Sequence, residues 1–264
     1  MVGLLDRFRL DGVVAVVTGS GRGIGRGIAL GLAEAGGDVV VTGRRRDEVA
    51  AVAAEVEDRG RRALAWPADL RDAGSSEQLA QAATDVLGPI GVWVNNAGGS
   101  DEKTVQPLAA TSDDTFRYMV ELNLVVAFQG ARAAARRMRP GGSIINIASG
   151  AGMRAAPNTG AYAAAKAGVL NLTLTMAAEL APRGIRVNAV SPGPVPTEAF
   201  LRVLDFTEPD LLRLASTVPL GRLGTPEDIA AAVLYLASPA AAWVTGQNIL
   251  VSGGREGGRS VEDR

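Results

Sequence analysis

A serine at position 149, a tyrosine at 162 and a lysine at 166 stand in the stretch SGAGMRAAPNTGAYAAAKAG. The chain has no histidine and no cysteine. That composition removes Ser-His-Asp and Cys-His catalysis, thiolate chemistry and the usual zinc ligands together. A metal site would need carboxylates alone, and none is expected. Acid–base chemistry must then come from Asp, Glu, Lys or Tyr. If GAYAAAKAGVLNLTLTMAAEL is helical, as its Ala and Leu content predicts, Tyr162 and Lys166 sit one turn apart on one face. A phenol with a pKa of about 10 is a poor base at neutral pH, and a neighbouring ammonium favours its phenolate. Such a pair can pass a proton to or from a substrate oxygen. Singly, each residue has a plainer reading as helix surface or turn former.

A second constellation is VVAVVTGSGRGIGRGIALGLAEAGG, a strand, a glycine-rich turn and a helix with Ile24, Ile28 and Leu32 on one face. Glycines permit a tight turn and let backbone N–H groups approach a pyrophosphate at the helix N-terminus. A glycine loop alone is weak evidence, but one that follows the first strand and opens a helix has the context a dinucleotide site requires. Charge then selects the coenzyme. NAD sites place an acid at the end of the second strand for the ribose 2′-OH, whereas an arginine there suits a 2′-phosphate. Gly43 stands where the acid is expected, followed by Arg44, with Arg22 inside the glycine loop. Two guanidinium groups suit charge-assisted contacts to a phosphate, so NADP(H) is expected over NAD(H). Arg45 and Arg46 read as a solvated cluster at a helix start.

The elements that must position these residues alternate. Short β-branched runs recur at 13–17, 38–42, 92–95, 143–148, 185–190 and 248–251, with a weaker one at 63–67, and helical patterns lie between them. Strands alternating with helices predict parallel βαβ units, hence an α/β fold with a seven-stranded, doubly wound parallel sheet in one domain. Ser149 then follows the strand SIINIA at a carboxyl end, where ligands of open α/β sheets bind, and can hydrogen-bond a substrate oxygen. Thr225, Pro226 and Asp228 predict a capped helix starting near 226.

Five motifs fall in order: Thr18-Gly19-x-x-x-Gly23-x-Gly25, NNAG at 95–98, Asn123 in ELNLVVAF, the Ser149, Tyr162 and Lys166 set, and PGPVPT at 192–197. Together they resemble the short-chain dehydrogenase/reductase family over about 12–253. The resemblance implies a Rossmann-fold oxidoreductase that moves hydride between a nicotinamide and a carbonyl or secondary alcohol. It implies coenzyme contacts from Gly19, Ser20, Arg22, Gly23, Ile24 and Gly25, from Arg44, and from Asp69 and Leu70 near the adenine. Asn96, Ala97 and Gly98, Tyr162 and Lys166, and Pro192, Gly193, Val195 and Thr197 complete that set, Val195 and Thr197 flanking the nicotinamide amide. Asn95 is expected to support the sheet edge. Asn123 is expected to hold a water that links Lys166 to solvent. Lys166, with the positive ring of the oxidised coenzyme, is expected to lower the Tyr162 pKa and to hold the ribose. Asp69 can also be read as the N-cap of the following helix. A catalytically silent sensor or scaffold is disfavoured because all four catalytic positions are filled.

Within the family, substrate selection lies in 198–224 and in the loops 99–110 and 150–160. Phe200, Leu201, Val203, Leu204, Phe206, Leu211, Leu212 and Leu214 are candidates for an apolar lid, or simply pack a lid helix onto the domain. The whole chain resembles 3-oxoacyl-acyl-carrier-protein reductases, yet Ser143 stands where those often carry a carrier-contacting arginine; Arg136, Arg137, Arg139 and Arg183 could partly substitute. The segment from 219 to 254 and the NNAGGS variant look more like bacterial 7α-hydroxysteroid dehydrogenases. The expected substrate is therefore a ketone, alcohol or acyl thioester of mostly apolar character. The resemblance also implies a homotetramer through helices 114–138 and 160–181. The stripe Met119, Leu122, Val126 and Ala133 fits such an interface or a buried intramolecular face. With 27 basic and 28 acidic residues, no field attracts nucleic acid or an anionic membrane. No run approaches the roughly 18 apolar residues of a membrane span. The start MVGLLDRFRL has too short an apolar stretch for a signal peptide. A cytoplasmic protein is expected, with a C-terminal tail that frays from about 254.

Overall fold

The computed structural model describes residues 3–204 and 206–255. Seven strands form one sheet: β1 (Val14–Val17), β2 (Asp38–Gly43), β3 (Ala63–Pro67), β4 (Ile90–Asn95), β5 (Ser143–Ile147), β6 (Arg186–Pro192) and β7 (Asn248–Val251). Their order is β3-β2-β1-β4-β5-β6-β7, and every pairing is parallel. The chain therefore builds outward from β1 in one direction, then returns to β4 on its other side. That reversal opens a crevice at the carboxyl ends of β1 and β4.

Central strands covered on both faces read as continuous apolar runs, as in Val14–Val17, where all four residues are buried. Successive side chains still divide between the faces. Ala15, Val17, Val39 and Val41 join Ile28 of α1 (Gly23–Glu34), Val49 and Val52 of α2 (Arg46–Glu57) and Ile229 and Leu236 of α9 (Pro226–Ala237). Val14, Val16, Val40 and Trp93 pack instead with Leu79 of α3 (Ser75–Val86), Ala131 and Ala134 of α5 (Val126–Arg137) and Met176 of α6 (Gly160–Leu180). The expected capping box on α9 is present: Asp228 N donates to Thr225 Oγ1 at 3.3 Å, and Thr225 N to Asp228 Oδ2 at 2.8 Å.

Two expectations are corrected here, and one open alternative is resolved. The helix read over 114–138 is not continuous: α4 (Asp113–Val120) and α5 are joined by a π-turn, Glu121–Val125. Met119, Val126 and Ala133 are buried within the chain, so their stripe covers the chain's own core, and Leu122 lines the central cleft. Asp69 does not cap α3, which starts after Gly74 in a left-handed turn; Asp69 Oδ1 instead accepts from Arg71 N at 3.0 Å. The candidate lid forms two helices, α7 (Glu198–Leu204) and α8 (Glu208–Ser216). Residue 205 and the side chains at 202–204, Val203 and Leu204 among them, lie outside the described residues, as does the expected tail from 256 on. Among the described residues no helix is long and apolar enough to cross a membrane, and no His/Cys/Asp/Glu group could hold a metal.

Candidate active site

The glycine loop joins β1 to α1 and is held by the strand end beside it. Thr18 Oγ1 accepts from the backbone N–H groups of Asn96 and Ala97, both at 2.9 Å, and Asn96 Nδ2 donates to Thr18 O and Gly19 O. Gly19 has φ +64°, and a Cβ there would lie 2.9 Å from Ala97 Cα; one on Gly25 would fall 2.2 Å from Gly19 O. No side chain fits at either position. Ser20 departs from expectation. It is fully buried, its Oγ donates to Val17 O at 2.6 Å and accepts from Thr42 N at 3.0 Å, and its N–H is taken by Thr42 O. It ties the loop to β2 and does not line the cleft.

The other residues assigned to the coenzyme line one cleft of about 840 Å³: Gly19, Arg22, Gly23, Ile24, Gly25, Arg44, Asp69, Leu70, Asn96, Ala97, Gly98, Tyr162, Lys166, Pro192, Gly193, Val195 and Thr197. That volume lies within the range of cofactor sites. Four guanidinium groups border it, and three are already paired. Arg22 Nη1 lies 3.3 Å from Glu198 Oε2 on α7, and Arg45 pairs with Glu48. Arg71 pairs with Asp69 at 2.5 Å and stacks 5.5 Å above the Tyr118 ring. Hydrogen bonding to Arg71 holds the Asp69 carboxyl below the usual carboxylate range. Among the described residues, Arg44 alone of the four carries no ion pair.

Ser149 stands two residues beyond the end of β5, where its Oγ accepts from Ala151 N at 3.1 Å and caps the short 3₁₀ turn Gly150–Met153. Its hydroxyl favours the Tyr162 phenolate and so lowers that phenol's pKa. Lys166 comes one turn later on α6, with Nζ 5.7 Å from the centre of the Tyr162 ring. That amine donates to Ile147 O at 2.8 Å. Burial depresses its pKa from 10.5 to about 8. The expected lowering of the tyrosine pKa does not arise from the chain alone. Burial pushes the Tyr162 phenol above its usual 10, the Ser149 hydroxyl opposes this, and the Lys166 amine is turned toward Ile147 O.

Asn123 lies within the π-turn, fully buried. Its Nδ2 donates to Gly99 O at 2.9 Å and Met119 O at 3.1 Å, and its Oδ1 accepts from Gly99 N at 2.7 Å. A Cβ on Gly98 would meet Asn123 Oδ1 at 2.7 Å and Lys166 Nζ at 3.5 Å, so a bare backbone separates the two groups. Single-turn π-bulges inside α-helices recur at functional sites.

Asn95 takes part in a longer buried ladder than the sequence suggests. Trp93 Nε1 donates to Asn95 Oδ1, Asn95 Nδ2 to Asn146 Oδ1, Asn146 Nδ2 to Thr173 Oγ1, and Thr173 Oγ1 to Val169 O. The signal for Asn146 was an amide inside the apolar run SIINIA. Three of the four arginines weighed as carrier contacts are engaged within the chain: Arg136 and Arg137 pair with Glu77, and Arg183 donates to Ala135 O. Ser143 is buried and donates to Leu236 O. Of the apolar lid residues, Phe200 lines the cleft and packs edge-on against Phe206 at 5.9 Å, while Leu212 is exposed.

Residues 19–256 match the family model described as enoyl-(acyl carrier protein) reductase. The chain is 38% identical over 247 residues to a 3-oxoacyl-[acyl-carrier-protein] reductase of Vibrio harveyi, covering 93% of this chain and 98% of that one. It superposes on a 7α-hydroxysteroid dehydrogenase complexed with NADH and 7-oxo glycochenodeoxycholic acid with TM-score 0.88 at 37% identity, covering 95% and 96% of the two chains. A gluconate 5-dehydrogenase from Burkholderia cenocepacia in complex with NADP and tartrate gives TM-score 0.89 at 36% identity over 97% and 100%. The fold, the motif order and these likenesses agree: the chain belongs to the short-chain dehydrogenase/reductase family of oxidoreductases.

Proposed function

We propose that this chain is an NADP(H)-dependent enzyme that transfers hydride between the coenzyme and a carbonyl or secondary alcohol of a mostly apolar substrate. The observation that carries the reading is convergence: Ser149, Tyr162 and Lys166 line the same cleft that the glycine loop opens into, with Lys166 Nζ 5.7 Å from the Tyr162 ring. The bare-backbone positions Gly19 and Gly25 fit a pyrophosphate that must approach closely, and unpaired Arg44 fits the added charge of a 2′-phosphate. Arg22 is the second candidate contact, after release from Glu198.

When bound, the nicotinamide gives or takes the hydride and, oxidised, adds a positive charge to the site. Ser149 Oγ orients the substrate oxygen and meets charge that develops there. Tyr162 Oη passes a proton to or from that oxygen. Lys166 holds the ribose, and while protonated it favours the phenolate against the burial that raises the phenol pKa. Asn123, backed by Gly99 and Met119, serves the proton path behind Lys166.

Val105, Ala151 and Phe200 give the reacting end apolar walls, in keeping with a ketone or a 3-oxoacyl thioester. The hydroxysteroid alternative is supported by the 7α-hydroxysteroid dehydrogenase fold match. The cytoplasm is the proposed setting. A homotetramer is proposed too, supported by exposed Phe116, Phe128 and Leu174 on α4, α5 and α6; a monomer by light scattering would refute it. The test of the enzyme reading is a panel of ketones and alcohols, including an acyl-carrier thioester and bile-type steroids, followed by coenzyme absorbance. No turnover with any member would sink it in favour of a coenzyme-binding scaffold. For the coenzyme, Arg44→Ala is expected to lower kcat/KM for NADPH at least tenfold more than for NADH; an unchanged ratio would remove the NADP(H) preference.

A further inference from the structure

Glu48, the third residue of α2, lies on the wall of the cleft. Gly21 makes that position possible: a Cβ on Gly21 would lie 3.2 Å from Glu48 Cβ and 3.5 Å from its Oε2. A Cβ on Gly43 would in turn lie 3.8 Å from Gly21 N. The carboxylate therefore occupies the seam between the glycine loop and the end of β2. This is the corner where an acid at position 43 would have served an NAD site. It is ion-paired with Arg45, next in the chain to the unpaired Arg44, and its side chain is only 28% exposed.

The geometry points to Glu48 as a specificity-determining residue, a carboxylate delivered from α2 that weakens the preference for 2′-phosphorylated adenosine. It acts in two ways. Pairing removes Arg45 from the cations open to a phosphate, and the carboxylate itself opposes a second anion in the same corner. The seam thus carries one available cation, Arg44, and one acid, which suits a site that accepts NADP(H) without strongly rejecting NAD(H). Nothing in the periodicity of the chain marks Glu48, because its place depends on the bare backbone of Gly21 across the loop.

This inference rests on the dinucleotide-binding reading, and its test is a binding measurement on the full chain. Calorimetry gives the Kd of adenosine 2′,5′-bisphosphate and of 5′-AMP for wild type, Glu48→Gln and Glu48→Ala. Like charges a few ångströms apart near a protein surface interact strongly enough to expect about a tenfold effect. The bisphosphate should therefore bind about tenfold tighter to Glu48→Gln, with 5′-AMP changed less than twofold, and the gain should shrink as KCl is raised. Glu48→Ala should move the ratio the same way. A ratio altered less than twofold in both variants overturns the inference, as does an equal gain for both ligands. The NADP(H) reading fails separately, if Arg44→Ala leaves the wild-type ratio of the two ligands unchanged. Binding of neither ligand to wild type overturns both.

Discussion

Replacing Lys166 by methionine is expected to change how the coenzyme-free protein's stability depends on pH, by an amount set by one buried amine. Lys166 is 4% exposed, and burial depresses its pKa from 10.5 to about 8. Between those values the unfolded chain binds more protons than the folded one, so stability rises with pH across that window. At about 1.4 kcal/mol per pH unit, keeping the buried ammonium charged costs about 3 kcal/mol at pH 7. By pH 10 that cost falls to about 1 kcal/mol. Methionine fills a similar volume without the charge, at the loss of one hydrogen bond to Ile147 O, worth about 1.5–3 kcal/mol at either pH. The absolute stabilities at pH 7 are therefore close, whereas wild type should gain about 2 kcal/mol on the variant between pH 7 and pH 10. Urea unfolding of both proteins at four pH values in that range measures the difference directly. A gap that stays constant within about 0.5 kcal/mol would mean that the lysine is not held charged against burial, and would refute the reasoning.

Tyr162→Phe is expected to lower kcat at least ~10²-fold, the scale of general acid–base catalysis, with coenzyme affinity retained; near-wild-type turnover would remove Tyr162 from the proton path. Gly25→Ala forces a methyl to 2.2 Å from Gly19 O, so coenzyme affinity should fall at least tenfold and the melting temperature should drop with it. An affinity within twofold of wild type would contradict the close loop packing. Asp228 is held down to about 2, chiefly by Arg222. Its contribution is present above the unfolded value of 3.8 and is lost as pH falls toward 2, so Asp228→Asn should flatten the acid side of the stability curve by up to about 2 kcal/mol. Parallel acid unfolding curves would count against that pairing.

The apolar runs, the glycine loop and the Thr225 capping box announced themselves in the sequence because each depends on local pattern: period, turn chemistry and cap spacing. The burial of Met119, Val126 and Ala133 was visible as a stripe, but a stripe does not say whether it meets the chain itself or another copy. Ser20, Arg71 and Glu48 were harder for a different reason. Their partners are set by which loops meet at the end of the sheet, and a chain with 27 basic and 28 acidic residues admits many pairings. The ladder from Trp93 to Val169 crosses β4, β5 and α6, so its members are far apart in sequence and only Asn95 was singled out. Tyr162 shows what tertiary context adds to a local expectation: Lys166 is close, yet burial sets the direction in the chain without coenzyme.

The π-turn at Glu121–Val125 joins α4 to α5 so that the two serve clients whose spacing along the chain does not suit a regular α-helix. Ahead of it, Met119 takes the Asn123 amide through its carbonyl; beyond it, Gly130 presents bare backbone to the polar ladder, where a Cβ would sit 2.3 Å from Asn95 Oδ1. A π-turn is an α-helix carrying one surplus residue, and each α-helical residue turns the helix by about 100°. Deleting one residue from 121–125 would leave a regular α-helix with α5 in its present phase, whereas regularising the turn with all five residues kept would rotate everything from Val126 onward by about that angle. Gly130 would swing off the ladder and a bulkier neighbour would arrive there. The π-turn is thus a phase adjuster, and substitutions that drive 121–125 into regular α-helix are predicted to disturb the ladder more than a single-residue deletion there that spares Asn123.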